Sequence, residues 1–225
     1  ALPIYDKSTI LAAYLKPFRE GKREKALPAA KLLMGSIVSN GATHLLTGEN
    51  QTALTQGYYS DYTKFSDSEA EAIRRYYDYM IRYENLFFDP ELQDVTMTHT
   101  GWDNYEYQCT SHKVSSYGEA GKIWMILREK DYRKCIYLLN LCGQSEDYWN
   151  EGKEEPNIQK DIKFTVQVDT PVEKICFSTP DGENMDAIEL SFTERATKTG
   201  KFIDFTVPSL NYWTTIWIDT RKETI

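Results

Sequence analysis

The 225-residue sequence contains no apolar run that approaches the roughly 20 residues needed for a membrane-spanning helix. It has no basic excess either, since 26 Lys and Arg stand against 34 Asp and Glu, for a formal charge of −8. An acidic chain without a basic cluster argues against a nucleic-acid partner. The amino terminus shows neither a Met nor the charged-then-apolar layout of a signal peptide. We therefore predict no membrane span and no nucleic-acid partner, and we expect that Ala1 is not the first residue of the gene product.

Cysteine and histidine are sparse, and their spacing fits no metal or cofactor motif. The four cysteines form no CxxC pair, and the three histidines form no HExxH pattern. There is also no glycine-rich phosphate loop and no GxSxG elbow. The sequence therefore predicts no metal and no cofactor, and it indicates buried thiols rather than a disulfide scaffold.

Aromatic residues are abundant, with 16 Tyr, 5 Trp and 9 Phe making 13% of the chain. Two explanations fit this number. The rings can fill a large β core, or they can serve a carbohydrate-handling protein, because the flat C–H faces of sugars lie well on aromatic rings. Composition alone leaves both open.

The first ninety or so residues have an α/β pattern. Short apolar runs at residues 10–15 and 43–46 indicate buried strands, and the apolar stretch 27–38 indicates a helix between them. Ser66 and Glu69 form a capping box that opens a second, long helix. This order predicts parallel βα units. Because two such units cannot close a sheet, we expect this segment to be the tail of a larger domain, completed by an upstream part of the same polypeptide.

After about residue 94 the pattern changes to a period of two. Apolar residues alternate with polar ones over 162–168, 188–192 and 203–207. Strands at this spacing without intervening helices favour an antiparallel sandwich. Residues 147–160 read as a polar loop of this β domain.

Four stretches of the chain resemble the carboxyl-terminal part of glycoside hydrolase family 66, the dextranases and cycloisomaltooligosaccharide glucanotransferases. They are residues 39–49 (SNGATHLLTGE), 76–79 (YYDY) with 82–84 (RYE), 98–104 (THTGWDN) and 147–153 (DYWNEGK). The resemblance implies an α/β plus all-β fold, with the last two βα units of a (β/α)8 barrel followed by an antiparallel Greek-key β-sandwich. It implies a TIM-barrel-like glycosidase domain ending at residue 92 and a β domain over residues 93–225.

The resemblance also implies a function. The family is similar to other retaining glycosidases, in which one carboxylate attacks the anomeric carbon and another acts as acid and base. No position of this sequence matches those two motifs, so we expect the catalytic pair upstream and the chain alone to be inactive. The implied substrate is α-1,6-glucan or an isomaltooligosaccharide, and the implied location is outside a bacterial cell. Two alternatives remain: a cyclising α-1,6-glucan transglycosylase of the same family, and a non-catalytic sugar-binding or structural β module.

Three candidate substrate-binding residues lie in or after the second predicted strand. Glu49 follows its carboxyl end, where its carboxylate can accept hydrogen bonds from glucose hydroxyls while Asn50 donates and accepts. A solvated loop acid is the alternative for Glu49. His44 lies inside the strand, where a core histidine is the commoner outcome.

Trp102, Asp103 and Asn104 follow the long helix at the expected domain junction. A ring beside an acid and an amide suits a pyranose, because the ring can stack on the sugar face while the polar groups bind its rim. Ordinary packing between domains is the alternative. A secondary sugar site at Trp149 and Asn150 is a further hypothesis.

Overall fold

The computed structural model describes residues 9–19, 23–55, 63–101 and 103–221. The chain divides into two compact units. The first unit comprises Ala1–Pro90 together with Gly143–Pro156, and the second comprises Glu91–Cys142 together with Asn157–Ile225. The first unit is therefore built from two stretches that lie far apart in the chain.

The first unit opens with a β-α-β arrangement. Its elements are β1 (Thr9–Leu11), a 3-10 turn (Lys16–Phe18), α1 (Arg23–Ser39), β2 (Ala42–His44), β3 (Thr47–Gly48), β4 (Thr52–Ala53), β5 (Thr63–Lys64), α2 (Asp67–Arg82) and α3 (Glu84–Phe87). Strands β1 and β2 pair in parallel, with Thr9 opposite Ala42, and α1 connects them. Strands β3, β4 and β5 form a separate antiparallel sheet.

The two long helices form for different local reasons. Helix α1 is apolar on most sides and is buried along much of its length, and it carries Pro28 in its interior rather than in its first turn. Helix α2 is amphipathic and begins with the predicted capping box, in which Ser66 and Glu69 each bond the other's backbone N–H. Its buried face includes Ile73 and Tyr76. Burial therefore stabilises α1, whereas α2 is stabilised by its capping box and by the packing of one apolar face.

The predicted fold class, the last two βα units of a (β/α)8 barrel followed by a Greek-key β-sandwich, is wrong. In the described residues strands predominate and α-helices number four. The parallel sheet there consists of β1 and β2, with three paired residues in each strand. The antiparallel sheet β3–β5 lies between β2 and α2 in the chain, so β2 and α2 do not form a simple strand–helix unit.

The second unit consists mainly of strands. Its elements are β6 (Gln93–Asp94), α4 (Thr96–His99), β7 (Tyr107–Cys109), β8 (Val114–Ser115), β9 (Ile123–Lys130), β10 (Arg133–Asn140), β11 (Gln159–Val168), β12 (Val172–Ser178), β13 (Ile188–Leu190), β14 (Phe192–Thr197), β15 (Gly200–Leu210) and β16 (Trp213–Thr220). One sheet runs in the order β13-β12-β16-β10-β9-β6, with β8 on β9, and the other in the order β14-β15-β11-β7.

One apolar core lies between these two sheets. Alternate residues of β11 and β15 point into it, and the rings of Phe164 and Phe205 stack there with centroids 5.6 Å apart. The facing residues come from β9, β10, β12 and β16. The period-two alternation predicted for 162–168 and 203–207 is the sequence signature of this arrangement, because only one face of β11 and β15 is apolar.

All four cysteines are free. Cys135 is completely buried, and burial raises the pKa of its thiol to about 12. Such a thiol is a packing group rather than a nucleophile at neutral pH. None of the helices in the described part of the chain has the length and apolarity that crossing a bilayer demands.

Candidate functional site

Glu49 and Asn50 lie on an exposed turn just beyond the carboxyl end of β2. The turn joins β3 to β4, and Asn50 and Gln51 both adopt left-handed backbone angles, with φ of 55° and 58°. The hydroxyl of Thr52 donates to the Glu49 carbonyl at 2.6 Å and closes the turn. Tight hairpins favour consecutive left-handed residues, and Asn tolerates them well. The side chains of Glu49 and Asn50 are therefore presented to solvent on a defined backbone.

His44 is the last residue of β2 and is completely buried. Its Nε2 lies 2.9 Å from the carbonyl oxygen of Ala13, so Nε2 carries the proton and donates it. Burial lowers the pKa of His44, and the hydrogen bond to Ala13 opposes that shift only in part. The imidazole is thus neutral, and its Nδ1 is an acceptor that finds no partner among the described residues.

Tyr77 of α2 fixes the position at which the chain leaves β2. Its hydroxyl donates to the His44 carbonyl at 2.7 Å and accepts from the Leu46 N–H at 3.2 Å. The Leu54 N–H donates to the Leu46 carbonyl at 2.7 Å. These bonds connect α2, the end of β2 and Leu54, the residue that follows β4. They orient the turn that carries Glu49, a role that the sequence pattern did not reveal for Tyr77.

A cavity of about 620 Å³ lies between this hairpin and α2. Its lining residues are Thr47, Gln51, Phe65, Asp67, Ala70, Glu71, Ile73, Arg74 and Tyr77. The volume is within the range of about 300–1,000 Å³ that is typical of small-ligand sites. Two carboxylates and a guanidinium give it the polar groups that a polyhydroxylated ligand needs. Glu49 and Asn50 are on the same hairpin but do not line this cavity.

Asp103 and Asn104 belong to the second unit. The Asn104 backbone N–H donates to the Gly101 carbonyl at 3.0 Å, and its amide lies 3.3 Å from the Thr100 carbonyl. Asn104 is half-buried by these contacts, whereas Asp103 is exposed. Trp102 lies outside the described residues. The proposed sugar contacts of all three remain predictions.

The segment 143–156 is the clearest feature that sequence reasoning misplaced. The sequence predicts that residues 147–160 form a polar loop of the β domain, but Gly143–Pro156, which includes most of that loop, belongs to the first unit. Lys16 pairs with Glu151 and Lys25 pairs with Glu154. These partners are separated by 135 and 129 residues in the chain, so no local pattern announces them.

The described residues contain no group of three or more His, Cys, Asp and Glu side chains arranged to hold a metal ion.

Comparison with known proteins identifies the family. The family model described as Glycosyl hydrolase family 66 matches residues 4–217. The chain therefore belongs to glycosyl hydrolase family 66.

Its relatives include two curated cycloisomaltooligosaccharide glucanotransferases from Niallia circulans. One is 28% identical over 84% of this chain and 19% of its own length. The other is 25% identical over 95% of this chain and 22% of its own length. The chain thus spans about a fifth of the length of these relatives.

A solved structure shares the fold. It is a cycloisomaltooligosaccharide glucanotransferase from Paenibacillus sp. in complex with cycloisomaltoheptaose, and it aligns with a TM-score of 0.74 at 23% identity. The alignment covers 84% of this chain and 27% of that chain. At this identity the likeness shows the fold alone.

Proposed function

We propose that this chain is part of a dextranase-like glycoside hydrolase that acts on α-1,6-linked glucan, and that it supplies substrate-binding groups rather than the catalytic carboxylate pair. The family match over residues 4–217 carries this proposal. The substrate class is supported by the glucanotransferase of the same fold, whose structure was solved in complex with cycloisomaltoheptaose. The family's retaining chemistry uses two carboxylates about 5 Å apart.

The hairpin after β2 supplies the first binding groups. The Glu49 carboxylate accepts hydrogen bonds from vicinal glucose hydroxyls, and the Asn50 amide donates and accepts beside it. Both side chains are exposed on a turn of fixed conformation. His44 is buried beneath this hairpin, where its neutral ring positions the end of β2 by donating a hydrogen bond to the Ala13 carbonyl. In the second unit, Trp102, Asp103 and Asn104 are proposed to bind further sugar.

A second candidate function is cyclising transglycosylation on the same substrate. The observation in its favour is that both curated relatives and the solved structure are cycloisomaltooligosaccharide glucanotransferases. The two activities share the glycosyl-enzyme step and differ in the acceptor, which is water in one and the far end of the glucan in the other. In either case dextran is too large to cross a membrane, so we propose that the enzyme works outside the cell.

Titration calorimetry with isomaltoheptaose tests the substrate class, with maltoheptaose as the linkage control. We expect isomaltoheptaose to bind and maltoheptaose to bind at least about ten-fold more weakly, because one linkage change displaces several hydroxyls from their partners. Glu49→Gln should weaken binding, while the matched surface change Glu183→Gln should not. Failure of isomaltoheptaose to bind would contradict the proposal.

A reducing-sugar assay on dextran tests the second part of the proposal. We expect this chain to release no reducing sugar in a sustained way, because none of its residues matches the motifs of the two catalytic carboxylates. Sustained turnover would overturn that assignment, and product analysis for linear or cyclic oligosaccharides would then decide between the two activities.

A further inference from the structure

The segment 143–156 carries two large aromatic side chains that are not buried in the core of the first unit. Tyr148 is 68% exposed and Trp149 is 53% exposed. Neither ring contacts another ring or a cation among the described residues. Large exposed rings that are adjacent in sequence are costly to leave in water, and they commonly mark a binding surface.

The backbone beneath these rings is closed at its neck. The side-chain amide of Gln144 donates to the Glu154 carbonyl at 2.7 Å and accepts from the Glu154 N–H at 3.1 Å. One side chain thus satisfies both backbone groups of the residue across the neck. The result is a compact loop of the Ω type whose ends are held together.

A buried lysine fixes the inside of the loop. Lys153 Nζ donates to a Glu146 carboxylate oxygen at 2.6 Å and to the Tyr148 carbonyl at 2.5 Å. The other Glu146 oxygen accepts from the Tyr148 N–H at 2.6 Å. Both backbone groups of Tyr148 are therefore held. A ring on a fixed backbone loses little conformational entropy when it binds a ligand.

The loop is also fixed to the body of the first unit. The Lys153 N–H donates to the Lys25 carbonyl at 3.1 Å, and Glu154 pairs with the Lys25 ammonium. Gly152 approaches so closely that a Cβ there would lie 2.8 Å from the Cβ of Lys25. Lys25 is in the first turn of α1, which starts on the side where β1 ends. Because β1 and β2 are parallel, this is also the side from which the Glu49 hairpin leaves β2.

We propose that Tyr148 and Trp149 form an aromatic subsite that stacks on glucose units of an α-1,6-glucan chain. A glucose ring offers an apolar C–H face and a polar rim without charge. An exposed indole matches the face, and the neighbouring Asp147 and Asn150 match the rim. Ligands of α/β units bind outside the carboxyl ends of the parallel strands, which is the side on which this loop is fastened. The inference rests on the proposed substrate class and adds a subsite to it.

Binding of isomaltoheptaose to single-site variants tests the subsite. Trp149→Ala should weaken binding by about ten-fold or more, as truncation of an anchoring ring does at interfaces. Trp149→Phe keeps a flat ring and should bind within about three-fold of the unmodified chain. Tyr117→Ala is the matched control, since Tyr117 is 59% exposed and lies in the second unit. It should leave binding unchanged, and thermal melts should be alike for all variants.

The outcomes separate this inference from the function on which it rests. If the unmodified chain binds isomaltoheptaose and Trp149→Ala binds equally well, the subsite is overturned while the substrate class stands. If the unmodified chain binds no isomaltooligosaccharide, both are overturned. If Trp149 matters for maltoheptaose but not for isomaltoheptaose, the loop binds another glucan and the α-1,6 assignment of the subsite is overturned.

Discussion

At the scale of single residues, the buried polar groups of the first unit act on the backbone. His44 bonds the Ala13 carbonyl, and Tyr77 bonds the backbone on either side of Leu45. An unbonded backbone group in such a place would cost about 1–3 kcal/mol. Of the candidate binding residues predicted in the first unit, Glu49 and Asn50 are the two whose side chains are exposed to solvent.

The buried imidazole of His44 makes stability depend on pH. Burial lowers the pKa of His44 in the folded chain, so the unfolded chain binds a proton more readily. As the pH falls below the ordinary pKa of about 6.5, protonation favours the unfolded state and stability declines. The decline continues until the pH reaches the lowered folded-state value. Urea denaturation at pH 7.5 and 5.5 should show a lower midpoint at pH 5.5.

His44→Gln separates this effect from other titrations. The Gln amide can replace the Nε2–H donor to Ala13 but does not titrate. The difference in urea midpoint between the two pH values should therefore shrink in the variant. His99→Gln is the control, because His99 is only half-buried. An equal pH effect in the unmodified chain and in His44→Gln would show that His44 is not responsible.

At the scale of elements, the start of α2 is held by a capping box. The Ser66 hydroxyl accepts from the Glu69 N–H at 3.3 Å, and Glu69 also pairs with Arg23 of α1. Ser66→Ala should lower the free energy of unfolding by about 1 kcal/mol, because it leaves a helix N–H without its cap. Ser68→Ala removes a hydroxyl that lies 3.2 Å from the Ser66 Oγ but keeps the bond from the Glu69 N–H to Ser66, so it should change stability by less than about 0.5 kcal/mol. Equal losses in the two variants would contradict the capping role.

Two local sequence patterns predicted elements of the fold correctly. The capping box of Ser66 and Glu69 and the alternation of β11 and β15 both appear in the structure. The short apolar run 10–15 was less informative, since the strand covers only Thr9–Leu11. The two alanines that follow have weak strand preference, and Pro17 lacks the N–H that a paired strand needs.

At the scale of the whole molecule, the sequence failed where contacts are distant. The barrel was implied by the family resemblance, and the sequence pattern itself offered only two short strands for it, because pairing beyond them depends on partners that no local period encodes. The sequence predicts a loop at Glu49, and Glu49 is exposed. No sequence pattern indicates that residues 143–156 belong to the first unit. Ion pairs such as Lys16 with Glu151 join residues 135 positions apart, and their residue types are common on any surface.

Deletion of residues 143–156 tests whether the second unit folds without this segment, which belongs to the first unit. In the second unit, the Asn157 N–H donates to the Cys142 carbonyl at 2.9 Å, so the two residues that flank the segment already meet. The buried amide of Asn140 bonds both of them. Replacement of Gly143–Pro156 by Gly-Ser-Gly should therefore leave hydrogen-exchange protection of β9, β10 and β16 unchanged.

The same replacement should weaken the first unit, because it removes the partners of Lys16 and Lys25 and the N–H that bonds the Lys25 carbonyl. Exchange should then accelerate in the first turns of α1, by about ten-fold for each 1.4 kcal/mol lost. A double variant, Tyr148→Ala with Trp149→Ala, is the control, since it removes the two rings but none of these anchors. Loss of protection in β10 after the replacement would show that the second unit needs the segment. Unchanged protection in α1 would show that the contacts of residues 143–156 with Lys16 and Lys25 do not stabilise the start of α1.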